Sequence, residues 1–144
     1  MSCELCASDG GTLLWRDDFC RVVRADVADY PGFLRVIVNR HVCEMTDLEP
    51  LDREHLMRVV YACERVLRET CEPHKINLAS LGNAVPHVHW HVIARHADDR
   101  HFPDAIWAAP RRPSAPQGAA VDDAELRRRL AERIAREALP GRSG

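Results

Sequence analysis

Residues 87–93 read HVHWHVI, and this stretch does most to decide the fold and the chemistry. Histidine alternates with apolar residues at period two, so a β-strand would place the imidazoles on one face and the apolar side chains on the other. Burial in a core explains the apolar face, but sheet packing gives no reason for three neighbouring histidines. Because histidine acts near neutral pH as a nucleophile, an acid, a base or a metal ligand, we expect His87, His89 and His91 to form a functional site.

Two kinds of site are compatible with these three residues. Histidines two apart on a strand can hold a catalytic zinc, which takes three protein ligands and keeps one position open. Alternatively, one imidazole attacks a phosphorus atom while its neighbours orient it and bind phosphate oxygens. The histidines alone leave this choice open.

The sequence on both sides of the histidines predicts a small antiparallel sheet. Short runs rich in β-branched and apolar residues are separated by turn residues, and the first two runs suggest a hairpin. The last two are joined so closely that they should be antiparallel neighbours. The five predicted strands are Leu13–Trp15, Phe19–Ala25, Phe33–Val38, Lys75–Leu81 and Val85–Ile93.

One long amphipathic helix is predicted from Pro50 to about Cys71. Its apolar residues recur at spacings of three and four, Pro50 suits the first turn, and Pro73 ends the helix.

The chain after Arg95 changes character. Residues 96–118 are rich in Pro, Asp and Arg and predict an extended arm anchored by Phe102, Ile106 and Trp107. A charged helix is then expected over Val121–Leu139, capped by Asp122 or Asp123 and ended by Pro140 and Gly141. Its apolar stripe is thin, so we interpret it as peripheral. That stripe consists of Leu126, Leu130 and Ile134.

These elements predict an α+β fold, with an antiparallel sheet of about five strands, one packed helix, and a C-terminal arm and helix. The chain of 144 residues, 46% of them hydrophobic, is long enough for one compact domain. We expect the domain to span residues 1–110 and a C-terminal extension to span residues 111–144.

The composition of the chain indicates which classes of binding partner to expect. A formal net charge of -2 gives no broad positive field, which disfavours long nucleic acids and favours small ligands. The N-terminus has neither a basic start nor an apolar run, and no stretch approaches the roughly 20 apolar residues of a membrane span. We therefore expect a cytoplasmic protein without a membrane partner, whose six cysteines are thiols or metal ligands.

At HVHWHVI the chain resembles the histidine triad superfamily, and in particular its diadenosine polyphosphate hydrolases. The superfamily signature is His, apolar, His, apolar, His, followed by two apolar residues. Three flanking segments also resemble the family: PGFLRVIVNRH, DLEP and LGNAVPH. Arg95 after the triad fits as well. The resemblance covers about residues 3–110 and implies the α+β histidine triad fold.

The resemblance also implies roles for individual residues. The middle histidine, His89, would be the nucleophile that forms a nucleotidyl-histidine intermediate, and His91 would contact the α-phosphate. Asn77 matches an amide-bearing residue near the phosphate, and Asn83 sits where relatives often have glutamine. Asp26 is a weaker candidate for binding the ribose hydroxyls. For both asparagines the alternative is an ordinary turn or edge residue.

Two positions depart from the family pattern. Ala84 stands where many relatives carry a serine or threonine hydroxyl that helps the leaving group. Phe33 replaces a fourth histidine that many members carry after the Pro-Gly turn. Leaving-group preference and proton transfer behind the triad are therefore expected to differ.

The early CxxC pair suggests a metal site. Some members of the superfamily bind a structural zinc through such a pair and two histidines, which correspond here to Cys3, Cys6, His41 and His87. Two thiolates and two imidazoles make a closed tetrahedral site without a part in the chemistry. Other members keep only remnants of these ligands.

The function implied by the resemblance is attack by His89 on the α-phosphorus of a dinucleoside polyphosphate or a nucleoside phosphoramidate, with no cofactor required for catalysis. One alternative is a nucleotide-binding module of the same fold without turnover. Another is a metal-dependent hydrolase that uses all three histidines as ligands. The resemblance further implies a homodimer, and we expect Trp107 to lie near an active site, where it stacks on a purine or packs on its own subunit.

Overall fold

The computed structural model describes residues 2–114 and 121–137. The described chain contains three α-helices, five strands and one short 3-10 helix. In order these are α1 (Glu4–Ala7), β1 (Thr12–Arg16), β2 (Cys20–Arg24), β3 (Phe33–Val38), the 3-10 helix (Met45–Asp47), α2 (Pro50–Cys71), β4 (Lys75–Ala79), β5 (His89–Arg95) and α3 (Asp123–Glu137).

The five strands form one antiparallel sheet in the order β1-β2-β3-β5-β4. This confirms the predicted fold class, the N-terminal hairpin and the antiparallel pairing of the last two strands. Asp17 closes the hairpin, because its carboxylate accepts hydrogen bonds from the backbone N–H groups of Phe19 and Cys20 at 2.9 and 2.8 Å. Strand β5 lies between β3 and β4, so both of its edges are hydrogen-bonded.

Helix α2 covers one face of the sheet. It begins at Pro50 and ends at Cys71 as predicted, and Glu72 leaves it in a left-handed conformation with φ of 45° directly before Pro73. Its buried apolar stripe packs on the inward-facing side chains of the strands to form the main core.

The opposite face of the sheet is covered by two segments that are mostly irregular. Leu5 of α1 packs on Val23 and Ile37, while Tyr30 and Ile106 pack around Phe33. The N-terminal segment and the arm therefore cover different parts of this face. The histidine site lies on this face as well.

The interpretation of the C-terminal helix as peripheral is wrong. Leu126, Leu130 and Ile134 are all buried and belong to the main core, where α3 packs on α2 and β1. A stripe of three residues is sufficient because α2 offers a second apolar face to receive it. Of the predicted range Val121–Leu139, Asp123–Glu137 is helical, and Leu139 lies outside the described residues.

The predicted bounds of the last strand also need correction. The strand begins at His89 and continues to Arg95, whereas Val85–Ile93 was expected. Residues 85–88 form a loop bound to the end of β3 and to the segment after it. The N–H of Val38 donates to the carbonyl of Val88 at 3.2 Å, and the N–H of Val88 donates to the carbonyl of Val42 at 2.7 Å. His87 consequently lies outside the strand.

Within the described residues, no helix has the length and apolar character needed to cross a membrane.

The burial of α3 predicts that Leu130→Ala destabilises the protein. Leu130 is 0% exposed, and removing such a side chain from a packed core typically costs about 2–5 kcal/mol. Chemical denaturation should show this loss, while Arg128→Ala on the exposed side of the same helix should change the free energy of unfolding by no more than about 0.5 kcal/mol. Equal stability of the two variants would contradict the packing of α3 described above.

Candidate active site

His89 and His91 are neighbours on the outward face of β5. Their ring centroids are 5.0 Å apart, with the rings nearly perpendicular. The Nδ1 atom of His89 lies 2.6 Å from the carbonyl oxygen of His87. A carbonyl only accepts, so Nδ1 carries the proton and the lone pair of the neutral ring lies on Nε2. In the described part of the chain, Nε2 hydrogen-bonds to no protein atom.

His91 is an uncharged imidazole in this structure. Only 6% of the residue is exposed, and its Nδ1 atom is buried with no partner among the described residues. Burial lowers its pKa to about 4, helped by the neighbouring His89 and by the positive charge of Arg35. At neutral pH, His91 is therefore a neutral group that can donate a hydrogen bond but supplies no positive charge.

A cavity of about 280 Å³ opens beside these two imidazoles. Its walls come from α1, from β3, from the loop of residues 81–85 and from the arm. His89 also borders a second cavity, of about 330 Å³, on the other side of that loop. The nucleophile candidate is thus accessible from two cavities.

The structure brings two of the four nucleotide-binding candidates to the first cavity. Asn83 and Trp107 both line it with the histidines. Asn77 is on the same face of the sheet, opposite Ile93, and its side-chain oxygen accepts a 2.7 Å hydrogen bond from Arg95.

Asp26 is not part of this arrangement. Its side chain is 74% exposed and pairs with Arg24 at 3.0 Å. It lines a separate cleft near Pro31, whose lining includes neither His89 nor His91.

Both departures from the family pattern lie at the site. Ala84 lines the cavity and brings no hydroxyl. Phe33 packs edge-on against His91, with 5.5 Å between ring centroids. An aromatic hydrocarbon gives His91 no hydrogen bond, and the Nδ1 atom of His91 has no partner among the described residues.

His87 faces the N-terminal segment, where four potential metal ligands converge. Ligand atoms of Cys3, Cys6, His41 and His87 all lie within 4.8 Å of one another. The Nδ1 atom of His87 is 3.4 Å from the sulfur of Cys3 and 3.6 Å from that of Cys6. Its Nε2 atom donates to the carbonyl of Val38 at 2.6 Å, which leaves the Nδ1 lone pair facing the thiols. Two thiols and two imidazoles with this tautomer fit zinc.

A single metal ion held by His87, His89 and His91 does not fit the structure. The Nδ1 atom of His87 faces the thiols of Cys3 and Cys6, and the three histidines form no common ligand group among the described residues. Among the described residues, only one other group combines potential metal ligands, namely Asp17, Cys20 and His55. In that group Asp17 binds the His55 ring at 2.7 Å and two backbone N–H groups, so its carboxylate is already engaged.

A buried ion pair fixes the start of the arm. Arg95 donates to both carboxylate oxygens of Asp99, at 2.8 and 3.0 Å, and to the carbonyl of Asp104 at 2.7 Å. Burial opposes ionisation of Asp99, but the Arg95 guanidinium and the backbone N–H groups of His101 and His96 outweigh it and hold the pKa well below its usual range.

Tyr30 also fixes the arm, through hydrogen bonds to Asp99 and His101. Tyr30 donates to Asp99 at 3.2 Å and lies 2.5 Å from Nδ1 of His101. Burial and the charge of Asp99 raise the pKa of Tyr30 to about 12, which keeps the phenol protonated. The arm thereby places Trp107 against His91, with 4.9 Å between ring centroids, while 51% of the indole stays exposed.

Sequence reasoning missed two features of the site. Arg35 on β3 lines the cavity directly beside His91, and the signal for it was a lone arginine inside an otherwise apolar strand. The bonds that Arg95 makes to the arm gave no comparable signal, because the arm has no periodic pattern from which its packing follows.

We predict that Asp99→Asn destabilises the protein by about 3–5 kcal/mol at neutral pH, because it leaves the buried Arg95 cation unpaired. The depressed pKa means that this stabilisation is fully present above the unfolded-state value of about 3.9 and is lost as pH falls through the folded-state value. The wild-type advantage should therefore shrink below about pH 4. Denaturant melts of both proteins from pH 7 to pH 3 measure it.

Asp9→Asn is the matched control, because Asp9 pairs with Arg16 at an exposed site and should contribute no more than about 1 kcal/mol. A variant at Asp99 that is as stable as this control would contradict the role given to the ion pair.

Comparisons with known proteins agree with the family resemblance of the HVHWHVI motif. The sequence model of the HIT domain matches residues 10–98, which is more than half of the chain. AP-4-A phosphorylase from Mycobacterium tuberculosis is 32% identical over 78 residues, which cover 50% of this chain and 40% of that protein. The chain thus matches less than half the length of this curated relative.

Solved structures of histidine triad proteins have the same fold. One from Bradyrhizobium japonicum superposes with a TM-score of 0.65 at 27% identity and covers 90% of this chain and 91% of its own. A Zn-bound histidine triad family protein from Mycobacterium smegmatis superposes with a TM-score of 0.61 at 25% identity, covering 94% and 95%. With the family match over residues 10–98, these likenesses show that the chain belongs to the HIT domain family.

Proposed function

We propose that this protein is a nucleotide hydrolase or transferase that acts at the α-phosphorus of its substrate through a covalent intermediate on His89. Dinucleoside polyphosphates and nucleoside phosphoramidates are the two substrate classes. The HIT domain match and the relative named AP-4-A phosphorylase support the nucleotide part of the proposal.

The observation that carries the proposal is the hydrogen bond from Nδ1 of His89 to the carbonyl of His87. It fixes the neutral tautomer with the lone pair on Nε2, the atom that has no protein partner in the described chain. A nucleophile must present an oriented lone pair to the phosphorus atom, and this bond orients the ring and keeps the proton of its neutral form on Nδ1. The same carbonyl stabilises the positive charge that the ring acquires on attack.

The proposed reaction consists of two displacements at the α-phosphorus. The Nε2 lone pair of His89 forms a bond to the α-phosphorus, and the phosphorus bond to the leaving oxygen or nitrogen breaks with its electron pair. The leaving group takes up a proton from solvent, since Ala84 provides no hydroxyl. An acceptor then forms a bond to phosphorus, the bond to Nε2 breaks, and the acceptor's proton is released.

Neighbouring residues bind and orient the substrate. His91 donates a hydrogen bond to the phosphate as a neutral group, and Asn83 is the amide side chain at the cavity. The half-exposed Trp107 gives a nucleobase a surface on which to stack. Asn77 acts indirectly, through Arg95. We leave Asp26 out of the proposal because its carboxylate lines a different cleft.

Water and inorganic phosphate are the two acceptors to compare. Water would make the protein a hydrolase, whereas phosphate would make it a phosphorylase, as the mycobacterial relative is named. Both acceptors use the same intermediate. Product analysis with and without added phosphate distinguishes them.

A nucleotide-binding module without turnover remains the second candidate. The observations that favour it are the missing hydroxyl at Ala84 and the unpartnered Nδ1 of His91 beside Phe33. Such a module would bind nucleotides at the same cavity but would form no adduct on His89.

We further propose that the protein is a homodimer, as the family resemblance implies, and that it is cytoplasmic, as the composition of its N-terminus suggests. Leu51 and Tyr61 support this assembly, because they are large apolar side chains exposed on α2.

The covalent step predicts that His89→Ala lowers turnover at least about a thousandfold, the scale of losing a nucleophile. Intact-mass analysis of a quenched reaction should find the mass of one nucleotidyl group on the wild-type chain and none on the variant. His96→Ala is the control, since this histidine is exposed on the arm away from the cavity. A wild-type protein without an adduct on His89, together with a His89→Ala variant that stays active, would refute the mechanism.

We also propose that Cys3, Cys6, His41 and His87 hold a structural zinc, which would fix α1 to the end of β3. When bound, the metal supplies folding free energy and no chemistry. Purified protein should contain about one zinc per chain, and Cys3→Ser should lose it together with a large drop in melting temperature.

Cys43→Ser is the matched control, because this thiol contacts His41 at 3.6 Å but lies outside the ligand group. It should keep the zinc. Zinc-free wild-type protein would remove the site from the proposal, and zinc loss that abolishes activity without lowering the melting temperature would reassign the metal as catalytic.

A further inference from the structure

Arg35 is a charged residue in a place where the fold requires none. It is the only charged residue of β3 and lies directly opposite His91 in the pairing with β5. Its neighbours along the strand are buried, and it points to the histidine side, where it lines the cavity with His89 and Trp107. An aliphatic residue would suit the strand equally well.

The guanidinium of Arg35 is only partly satisfied by the protein. One nitrogen donates to the carbonyl of Gly10 at 3.1 Å, and the group lies 5.1 Å from the centre of the Phe33 ring. Within the described chain, no carboxylate comes within 4.0 Å of it, although Glu4 also lines the cavity. Burial lowers the pKa of Arg35, which shows that the cation is partly desolvated.

The two buried arginines of the described chain, Arg21 and Arg95, are used differently. Arg95 is neutralised by Asp99, and Arg21 donates to the carbonyls of Leu5, Ser8 and Asp9. The N–H groups of these two arginines donate to other parts of the protein and stabilise the fold. Arg35 instead keeps donor nitrogens open to a cavity that also contains the proposed nucleophile.

A positive charge is what the proposed reaction otherwise lacks at this point. Burial, His89 and Arg35 lower the pKa of His91 to about 4, and Arg35 is the one permanently charged cation among the described residues that line this cavity. A guanidinium matches phosphate because its planar fork offers two parallel N–H donors and a charge that does not titrate in the working range.

We propose that Arg35 binds phosphate oxygens of the substrate beside His91 and selects substrates by their negative charge. This inference rests on the proposed function and deepens it. The phosphate bound by Arg35 is either the α-phosphate or the next phosphate along a polyphosphate. Comparing the affinities for AMP and α,β-methylene-ADP distinguishes these two positions.

Titration calorimetry with the full-length protein tests the proposal. The probes are adenosine, AMP, the uncleavable α,β-methylene-ADP and inorganic pyrophosphate. We compare the wild type with Arg35→Leu and Arg35→Lys. Arg68→Leu is the charge-matched control, since Arg68 is exposed on α2. Melting temperatures of all variants report on folding separately.

Arg35→Leu should bind AMP about 10- to 100-fold more weakly, as expected for losing a charge-assisted hydrogen-bonded pair, and adenosine within about twofold of the wild type. Arg35→Lys should recover part of the affinity, because it keeps the charge but loses the fork. Arg68→Leu should leave all affinities unchanged. A larger loss for α,β-methylene-ADP than for AMP would assign Arg35 to the second phosphate, and an equal loss to the α-phosphate.

Two results would overturn the proposal. One is unchanged binding of AMP, α,β-methylene-ADP and pyrophosphate by Arg35→Leu. The other is an equal loss for adenosine and AMP, which would mean that Arg35 only shapes the cavity.

Failure of the proposed function has a different signature. Pyrophosphate binding that depends on Arg35, without binding of any nucleoside, would support Arg35 as the phosphate ligand while refuting the nucleotide substrate. A wild-type protein that binds none of the four probes would overturn the Arg35 proposal, and an adduct on His89 would then show whether the function stands without it.

Discussion

The alternation of side chains along β5 is the constraint on which the site depends. Trp90 and Val92 must face α2 to complete the main core, so His89 and His91 must face the other way. His91 pairs with Arg35 and Ala79 and His89 pairs with Ile37, so the backbone of neither residue can move without breaking ladder hydrogen bonds. The core thus fixes the direction of the reactive groups, and the carbonyl of His87 fixes the rotation and tautomer of one ring.

The face that carries the histidines is closed from two sides, and the cavity is the gap between the two covers. On one side the N-terminal segment is anchored by Arg21 and by the four residues proposed to hold zinc. On the other side the pair of Arg95 and Asp99 holds the arm. Both covers touch the cavity, through Leu5 and Trp107, so each anchor acts on the shape of the site without contacting a substrate.

Most of the fold followed from the sequence because its signals are periodic. The stripe of α2 predicted the bounds of the helix, and the turn residues predicted the N-terminal hairpin and the antiparallel pairing of the last two strands. The division of roles within the triad was harder to predict. An alternating pattern implies one shared face, but the loop that binds Val88 to Val42 takes His87 off the strand and towards Cys3.

The remaining errors have a common physical origin, since they concern contacts between segments that lie far apart in the chain. The burial of Leu130 depends on a second apolar face of α2, which a thin stripe on α3 does not reveal. The isolation of Asp26 depends on the direction of a loop. The importance of Arg35 depends on the lack of a carboxylate within 4.0 Å of it among the described residues, which is visible only once the chain is folded.

The central claim is that His89 attacks through Nε2 because its Nδ1 proton is held by the His87 carbonyl. The most direct test is the position of the phosphorus on the imidazole, read by nitrogen–phosphorus coupling in an NMR spectrum of histidine-labelled protein quenched during turnover. The structure predicts a bond between phosphorus and Nε2 of His89. A bond to Nδ1 of His89, or to either nitrogen of His91, would contradict this account.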